Sequence, residues 1–368
     1  MNGRSSVPAP DSSAPRPPKS QIGAQVWVRK NLFGNWFDTL LTLLSLWLIY
    51  QIVSVIFSWA IIDAVVGEGP KVCEGAKGAC WAFIQEMWEL FIVGLYPFEE
   101  RYRPYTAFLI LVLLCAATFV ARVRRWPPFY LLWALAPFAV FFLIRGGTAL
   151  NLPLVDTSLW GGLMLTLVLA VVSLGLGFPL GILLALGRRS RMPVLRGLCV
   201  AYIELVRGVP LITVLFLSSV MLPLFLPAGI DIDKILRALI GITLFAAAYL
   251  AEVVRGGLQG LPSGQEDAAK ALGMNSWQTM VFIILPQVLR MVIPPLVSTF
   301  IGLLKDTSLV SIIGLLDLLG MAAATTANPD WLGRLVEAYV FVAVIYWVFC
   351  YSMSRYSLFL ERKYKTGH

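Results

Sequence analysis

Between Asp156 and Arg188 the chain carries no charged residue, and the same holds between Asp38 and Asp63. Runs this long and this apolar cannot lie in water. An α-helix of about 20 residues crosses the ~30 Å hydrocarbon layer of a membrane, with every backbone polar group bonded inside the helix. The alternating pattern of a membrane strand is absent. The rest of the chain agrees, since mean hydropathy is +0.79 and only 14% of residues are charged, too few to cover a soluble domain. The sequence predicts an all-α integral membrane protein of about eight transmembrane helices, over 36–62, 105–122, 128–144, 159–186, 197–226, 235–257, 288–320 and 333–357.

The basic residues orient these spans. Arg122, Arg124 and Arg125, then Arg188, Arg189, Arg191 and Arg196, then Arg362, Lys363 and Lys365 fall on one side. The other side is poorer in Lys and Arg. The bias puts both termini in the cytoplasm, as an even number of spans requires. It also makes the net charge of +8 a property of cytoplasmic loops and not a nucleic-acid footprint. Residues 1–33 are Pro- and Ser-rich at their start, with nothing to bury, and are expected to be a disordered cytoplasmic tail. No apolar segment of signal-peptide type follows the start.

In this topology the 63–104 loop is periplasmic. Cys73 and Cys80 lie in it, and an oxidising compartment permits either a bridge or two free thiols. Trp81, Phe83, Ile84, Trp88, Leu90 and Phe91 suit a helix lying in the outer interface. His368 is the only histidine, which leaves little for a metal site or imidazole chemistry; no metal is expected. No G-x-x-x-x-G-K-[ST] loop is present, so nucleotide phosphates have no such cradle here.

One segment is out of keeping with its surroundings. "GQEDAAKALGMNSWQTMVFIILPQ", 264–287, is polar, helical and Gly-punctuated, between two apolar runs and on the cytoplasmic side. Ser263 and Glu266 have capping-box spacing, Asp267 and Lys270 are spaced to pair, and Gly273 suits a left-handed stop. Asn275 or Ser276 can cap a second helix. The first helix has about two turns, too few to be stable alone. Ala268, Ala269, Ala271 and Leu272 are expected to form its exposed face. It reads either as a solvated connector or as a knob for a partner's groove.

The spacing of Asp267, Ala268, Ala269, Gly273, Ile284, Leu285 and Pro286 resembles the "EAA" loop of the membrane subunits of bacterial ABC importers, with Asp where that family usually has Glu and with Glu266 one place earlier. "YIELVRGVPLI", "LAEVVRGGLQGLPSGQ" and "LLKDTSLVSIIGLLDLLG" resemble the polar amino acid group of that family, and "CWAFIQEMW", "LYPFEERYRP" and "LPLVDTSLWGGLMLTL" resemble the M-type permease of general L-amino acid importers. The resemblance implies a five-helix type I importer core over 151–368, with coupling loop 262–287, preceded by a three-span extension over 34–150. It implies a bacterial inner-membrane subunit that moves L-amino acids and is not itself an enzyme. Glu266, Asp267, Ala268, Ala269 and Gly273 would couple it to an ATP-binding subunit dimer. A second homologous permease and a periplasmic amino-acid-binding protein would complete the complex. ATP and Mg would sit on the partner, with no cofactor held by this chain.

Charges within spans mark candidate sites. Lys305, Asp306, Thr307 and Ser308 could meet a zwitterion, Asp306 taking the ammonium and Lys305 the carboxylate, or could fix helix packing. Asp317 is a further acidic candidate. Glu204 with Arg207 and Glu252 with Arg255 repeat an i,i+3 pattern that suits either an inner gate or a snorkelling arginine balanced by glutamate. Pro210 is expected to break the helix after Gly208. Two rival functions are a stand-alone transporter or channel, which leaves the polar hairpin without a task, and an intramembrane enzyme, for which no nucleophile–base pair is visible.

Overall fold

The structure, a computed structural model, describes residues 24–120, 128–147, 151–225, 227, 229 and 232–364. The expected tail up to residue 23 and the Arg122–Arg125 loop lie outside the described residues. The described chain is helical throughout, its extended pairings being isolated bridges such as Gly162 with Asp317.

Two compact units are present: the chain up to Val66 with Val72–Cys80, and Gly67–Lys71 with everything from Trp81 onward. The division falls before the helices of 102–145. In the first unit α1 (Ala24–Leu32) leads to α2 (Trp36–Phe57), which a π-turn extends to Ile62. None of the residues of this span is buried within the chain, as expected of a helix surrounded by lipid. Cys73 and Cys80 are joined by a disulfide with Cα atoms 5.8 Å apart.

In the second unit α3 (Trp81–Val93) comes first. Expected to lay its apolar face in the outer interface, it lays that face on protein. Phe83 and Phe91 are fully buried and pack on Trp331 and Phe341, with ring centroids 5.4 and 5.2 Å apart. Protein has taken the place of lipid on its apolar face. Next come α4 (Tyr102–Phe119) and α5 (Pro128–Arg145), both 18 residues, or ~27 Å, near the lower limit for a span.

The centre is α6 (Gly162–Arg188) against α9 (Lys234–Gly260). Their approach is written in "GFPLG" and "FAAAYLA". A Cβ added at Gly177 would lie 3.0 Å from Ala246 Cβ, and one at Gly181 would lie 2.8 Å from Leu250 Cβ. Glycines at i and i+4 facing alanines let two backbones meet, which is how helices associate where lipid removes the hydrophobic drive.

Between these helices the expected single span 197–226 is broken. Helix α7 (Pro193–Arg207) and the segment Leu211–Phe225, which opens with α8 (Leu211–Phe216), are bent by 106°. Pro210 lacks an N–H and disfavours a helical Val209, so the break follows Gly208 as the sequence indicates. Counting that bent pair as one, six elements among the described residues are long and apolar enough to span a membrane; α4 and α5 occupy the places of the other two expected spans.

The expected span 288–320 is shorter. After α10 (Gly264–Ala271) and α11 (Ser276–Gln278), a π-turn and α12 (Leu285–Met291) lead to α13 (Ile293–Asp306), which a 3-10 segment carries to Ile313. Gly314 ends it at φ 76°. Asp317 is therefore not a charge in a span. Fully buried, it caps α14 (Leu318–Thr325) by accepting from Gly320 N at 2.9 Å, and it accepts from Tyr346 Oη at 3.3 Å on α15 (Leu335–Tyr364).

Candidate functional site: the hairpin between α9 and α12

Helix α10 is held by backbone and by one ion pair. Ser263 is already helical, at φ −59° and ψ −28°, and its side chain makes no capping bond. The expected box with Glu266 does not form, because the carbonyls of Pro262 and Ser263 accept from Gln265 N and Glu266 N at 3.2 and 3.0 Å. Glu266 is thereby free to reach Arg189, beyond the end of α6, in a close ion pair. At the other end Gly273 N donates to Lys270 O at 2.9 Å and Met274 N to Ala269 O at 3.1 Å. With Gly273 at φ 76°, this is the left-handed stop that glycine permits. Asn275 and Gln278 complete a reciprocal capping box that starts α11.

The faces of α10 differ from expectation at one residue. Ala269 is buried at 3% exposure, so it packs inward; Ala268, Ala271 and Leu272 are exposed, Leu272 at 81%. Four residues separate Ala268 from Leu272 and put them on one outward face, while Ala269 is turned about 100° away. Asp267 is also exposed and lies 3.8 Å from Lys270. Trp277 and Phe282 are exposed as well. Trp277 was not singled out by the sequence, although a Trp in a polar turn is an available signal.

Behind the hairpin five charged side chains form a cluster at the break of the bent pair. Glu252 makes a close ion pair with Arg255 and lies 3.6 Å from both Arg188 and Arg207. Glu204 does not take Arg207, its i,i+3 neighbour, but Arg188 at 2.9 Å. Only the second of the two repeated patterns therefore forms its local pair. Arg188 bridges α7 and α9, and the next residue, Arg189, holds α10.

Lys305 and Asp306 end α13, with Lys305 exposed, Asp306 and Ser308 half-buried and Thr307 buried, its hydroxyl donating to Leu304 O at 2.8 Å. Among the described residues neither Lys305 nor Asp306 makes an ion pair.

The family of binding-protein-dependent transport system inner membrane components matches residues 177–366. The chain belongs to that family. This permease is 50% identical over 359 residues to the inner membrane amino-acid ABC transporter permease protein YhdY of Escherichia coli K12, covering 97% of each chain. It is 41% identical to the glutamate/glutamine/aspartate/asparagine transport system permease protein BztC of Rhodobacter capsulatus, over 96% of this chain and 97% of the relative. The L-cystine transport system permease protein TcyB of Bacillus subtilis is 35% identical over 92% of its own length but 59% of this permease. A solved amino acid ABC transporter with histidines has a TM-score of 0.49 and 31% identity, covering 55% of this permease and 92% of that chain. The permease is thus a multi-pass inner-membrane component that works with substrate-binding and ATP-binding partners.

Proposed function

We propose that this permease passes L-amino acids, of broad specificity, into the cytoplasm, driven by ATP hydrolysis on a separate ATP-binding dimer. The observation that carries the amino-acid reading is the full-length similarity to two amino-acid permeases at 50% and 41% identity. The α10–α11 hairpin is the docking surface for that dimer. Ala268, with no bulk, and exposed Leu272 and Trp277 present the close-packing apolar face that a partner's groove takes. Asp267, not Glu266, is the carboxylate offered to the partner, because Glu266 is engaged by Arg189. The basic side of the chain, with both termini, faces the cytoplasm.

A second homologous permease completes the pathway, and a periplasmic binding protein delivers the substrate. Lys305 and Asp306, charges within a span that make no ion pair among the described residues, are the residues for a zwitterion's carboxylate and ammonium, with Thr307 and Ser308 beside them. The cluster of Glu204, Arg207, Glu252 and Arg255 closes the inner end around the helix break. The test is co-purification of the tagged permease from its own membranes. An ATP-binding subunit, a second permease and amino-acid-stimulated ATP hydrolysis in the eluate are expected. A permease that elutes alone and transports alone overturns the reading.

A further inference from the structure

Between α3, α4, α5, α6 and α15 lies a cavity of about 470 Å³ whose lining includes neither the α10–α11 hairpin nor Lys305–Ser308. Its walls are apolar almost throughout, with Phe108, Val140, Val168, Val172 and Val348 among them. Tyr105 breaks the pattern. It lines the cavity, and among the described residues its buried Oη has no hydrogen-bond partner. Buried hydroxyls in folded proteins are nearly always bonded, so the site is short of an acceptor.

The slot has a direction. Tyr105 is in the first turn of α4 and Leu163 in the first turn of α6, while Ile144 is in the last turn of α5. These mark the end of the bundle opposite the Arg189–Glu266 pair. Trp88 stacks on Tyr105 there, with centroids 6.2 Å apart. From that lip the lining runs along α6 from Leu163 as far as Val172, nine residues on, or ~13–14 Å, a little under half the thickness of a ~30 Å hydrocarbon layer. Within a partner's helix the carbonyls are already bonded along the helix and bring Tyr105 Oη no acceptor. A phospholipid acyl chain suits the apolar walls and ends in an ester carbonyl that does.

We propose that this slot holds one acyl chain of a phospholipid from the leaflet opposite the coupling hairpin, with Tyr105 Oη donating to its ester carbonyl. Tyr and Trp at the lip sit at headgroup level, where such side chains favour the interface. The chain would fill the space between α3–α5 and the α6 and α15 helices of the core.

The test uses the full-length permease in membranes loaded with a phosphatidylethanolamine that carries a diazirine near the end of one acyl chain. After irradiation, the expected labelling saturates at one lipid per permease, on peptides containing Val172 and Val348. Excess unmodified phosphatidylethanolamine competes it away. Val168→Trp fills the shaft and is expected to lower that labelling at least ten-fold. Tyr105→Phe removes only the donor and is expected to weaken competition about five-fold, the ratio for one hydrogen bond. Labelling that does not saturate, or that spreads over all lipid-facing helices and ignores Val168→Trp, overturns the proposal, as does a slot that stays unlabelled. If Val168→Trp does not fold, saturation in the unmodified permease still decides.

Discussion

Glu252→Gln is expected to destabilise the permease more than any other single charge removal at the hairpin end of its bundle. The substitution keeps shape and removes the one negative charge shared by Arg188, Arg207 and Arg255. Each of the two contacts at 3.6 Å is worth about 4–5 kcal/mol before desolvation, at an effective dielectric near 20. Most of that gross attraction is cancelled by lost hydration. Removing one partner of a buried pair nevertheless costs ~3–5 kcal/mol, and Glu252 is about a quarter exposed, so roughly 2–3 kcal/mol is expected. That corresponds to a fall in melting temperature of roughly 3–4 °C for the detergent-purified permease of 368 residues. Asp267→Asn, on an exposed carboxylate, serves as the control and is expected to shift it by less than about 2 °C. Arg207→Gln combined with Glu252→Gln is expected to be non-additive by about 1 kcal/mol. Equal melting of Glu252→Gln and Asp267→Asn, or strict additivity of the double variant, refutes the cluster as the fastening of the broken span.

Ala268→Arg is expected to leave the melting temperature within about 2 °C, because surface changes cost little, while the ATP-binding partner no longer co-purifies. Ala269→Arg forces a charge into a buried position and is expected to lower the yield of folded permease itself; the two variants behaving alike would contradict the assignment of faces. Gly273→Val, at φ 76°, is expected to cost ~1–2 kcal/mol of backbone strain and to uncouple ATP hydrolysis by misaiming α11, read by ATPase assay in the complex. Asp306→Asn is expected to lower amino-acid uptake in whole cells while the complex still assembles; normal uptake by both Asp306→Asn and Lys305→Met would remove these residues from the pathway. Non-reducing mass spectrometry is expected to find Cys73 and Cys80 in one linked peptide pair, with alkylatable thiols as the contrary result.

Features carried by local chemistry were legible in the sequence. Uncharged runs become spans, Pro210 breaks its helix, Gly273 turns left-handed, and Asn275 with Gln278 caps α11. What was not legible depends on which neighbour a side chain meets. A Phe- and Trp-rich helix reads the same whether lipid or protein covers it, so α3 was expected at the interface and is instead packed on Trp331 and Phe341. Glu204 has Arg207 at ideal helical spacing, yet Arg188, sixteen residues upstream, reaches it better once α6 and α7 fold back on each other. In "DAAKAL" every Ala looks equivalent, and only the docking of α10 makes Ala269 the buried one. The repeated E-x-x-R-G pattern therefore brings its four charges into one ion-pair cluster, and in one of its two copies the local pair gives way to Arg188.

This chain is expected to transport only when an ATP-binding partner works on it through α10. That dependence is read by uptake of a labelled L-amino acid into proteoliposomes holding the permease complex, with ATP on the side of the α10–α11 hairpin. Uptake that requires both ATP and the ATP-binding subunit, and that is lost in Ala268→Arg, is the expected result. ATP-independent uptake by vesicles holding this permease alone would contradict it.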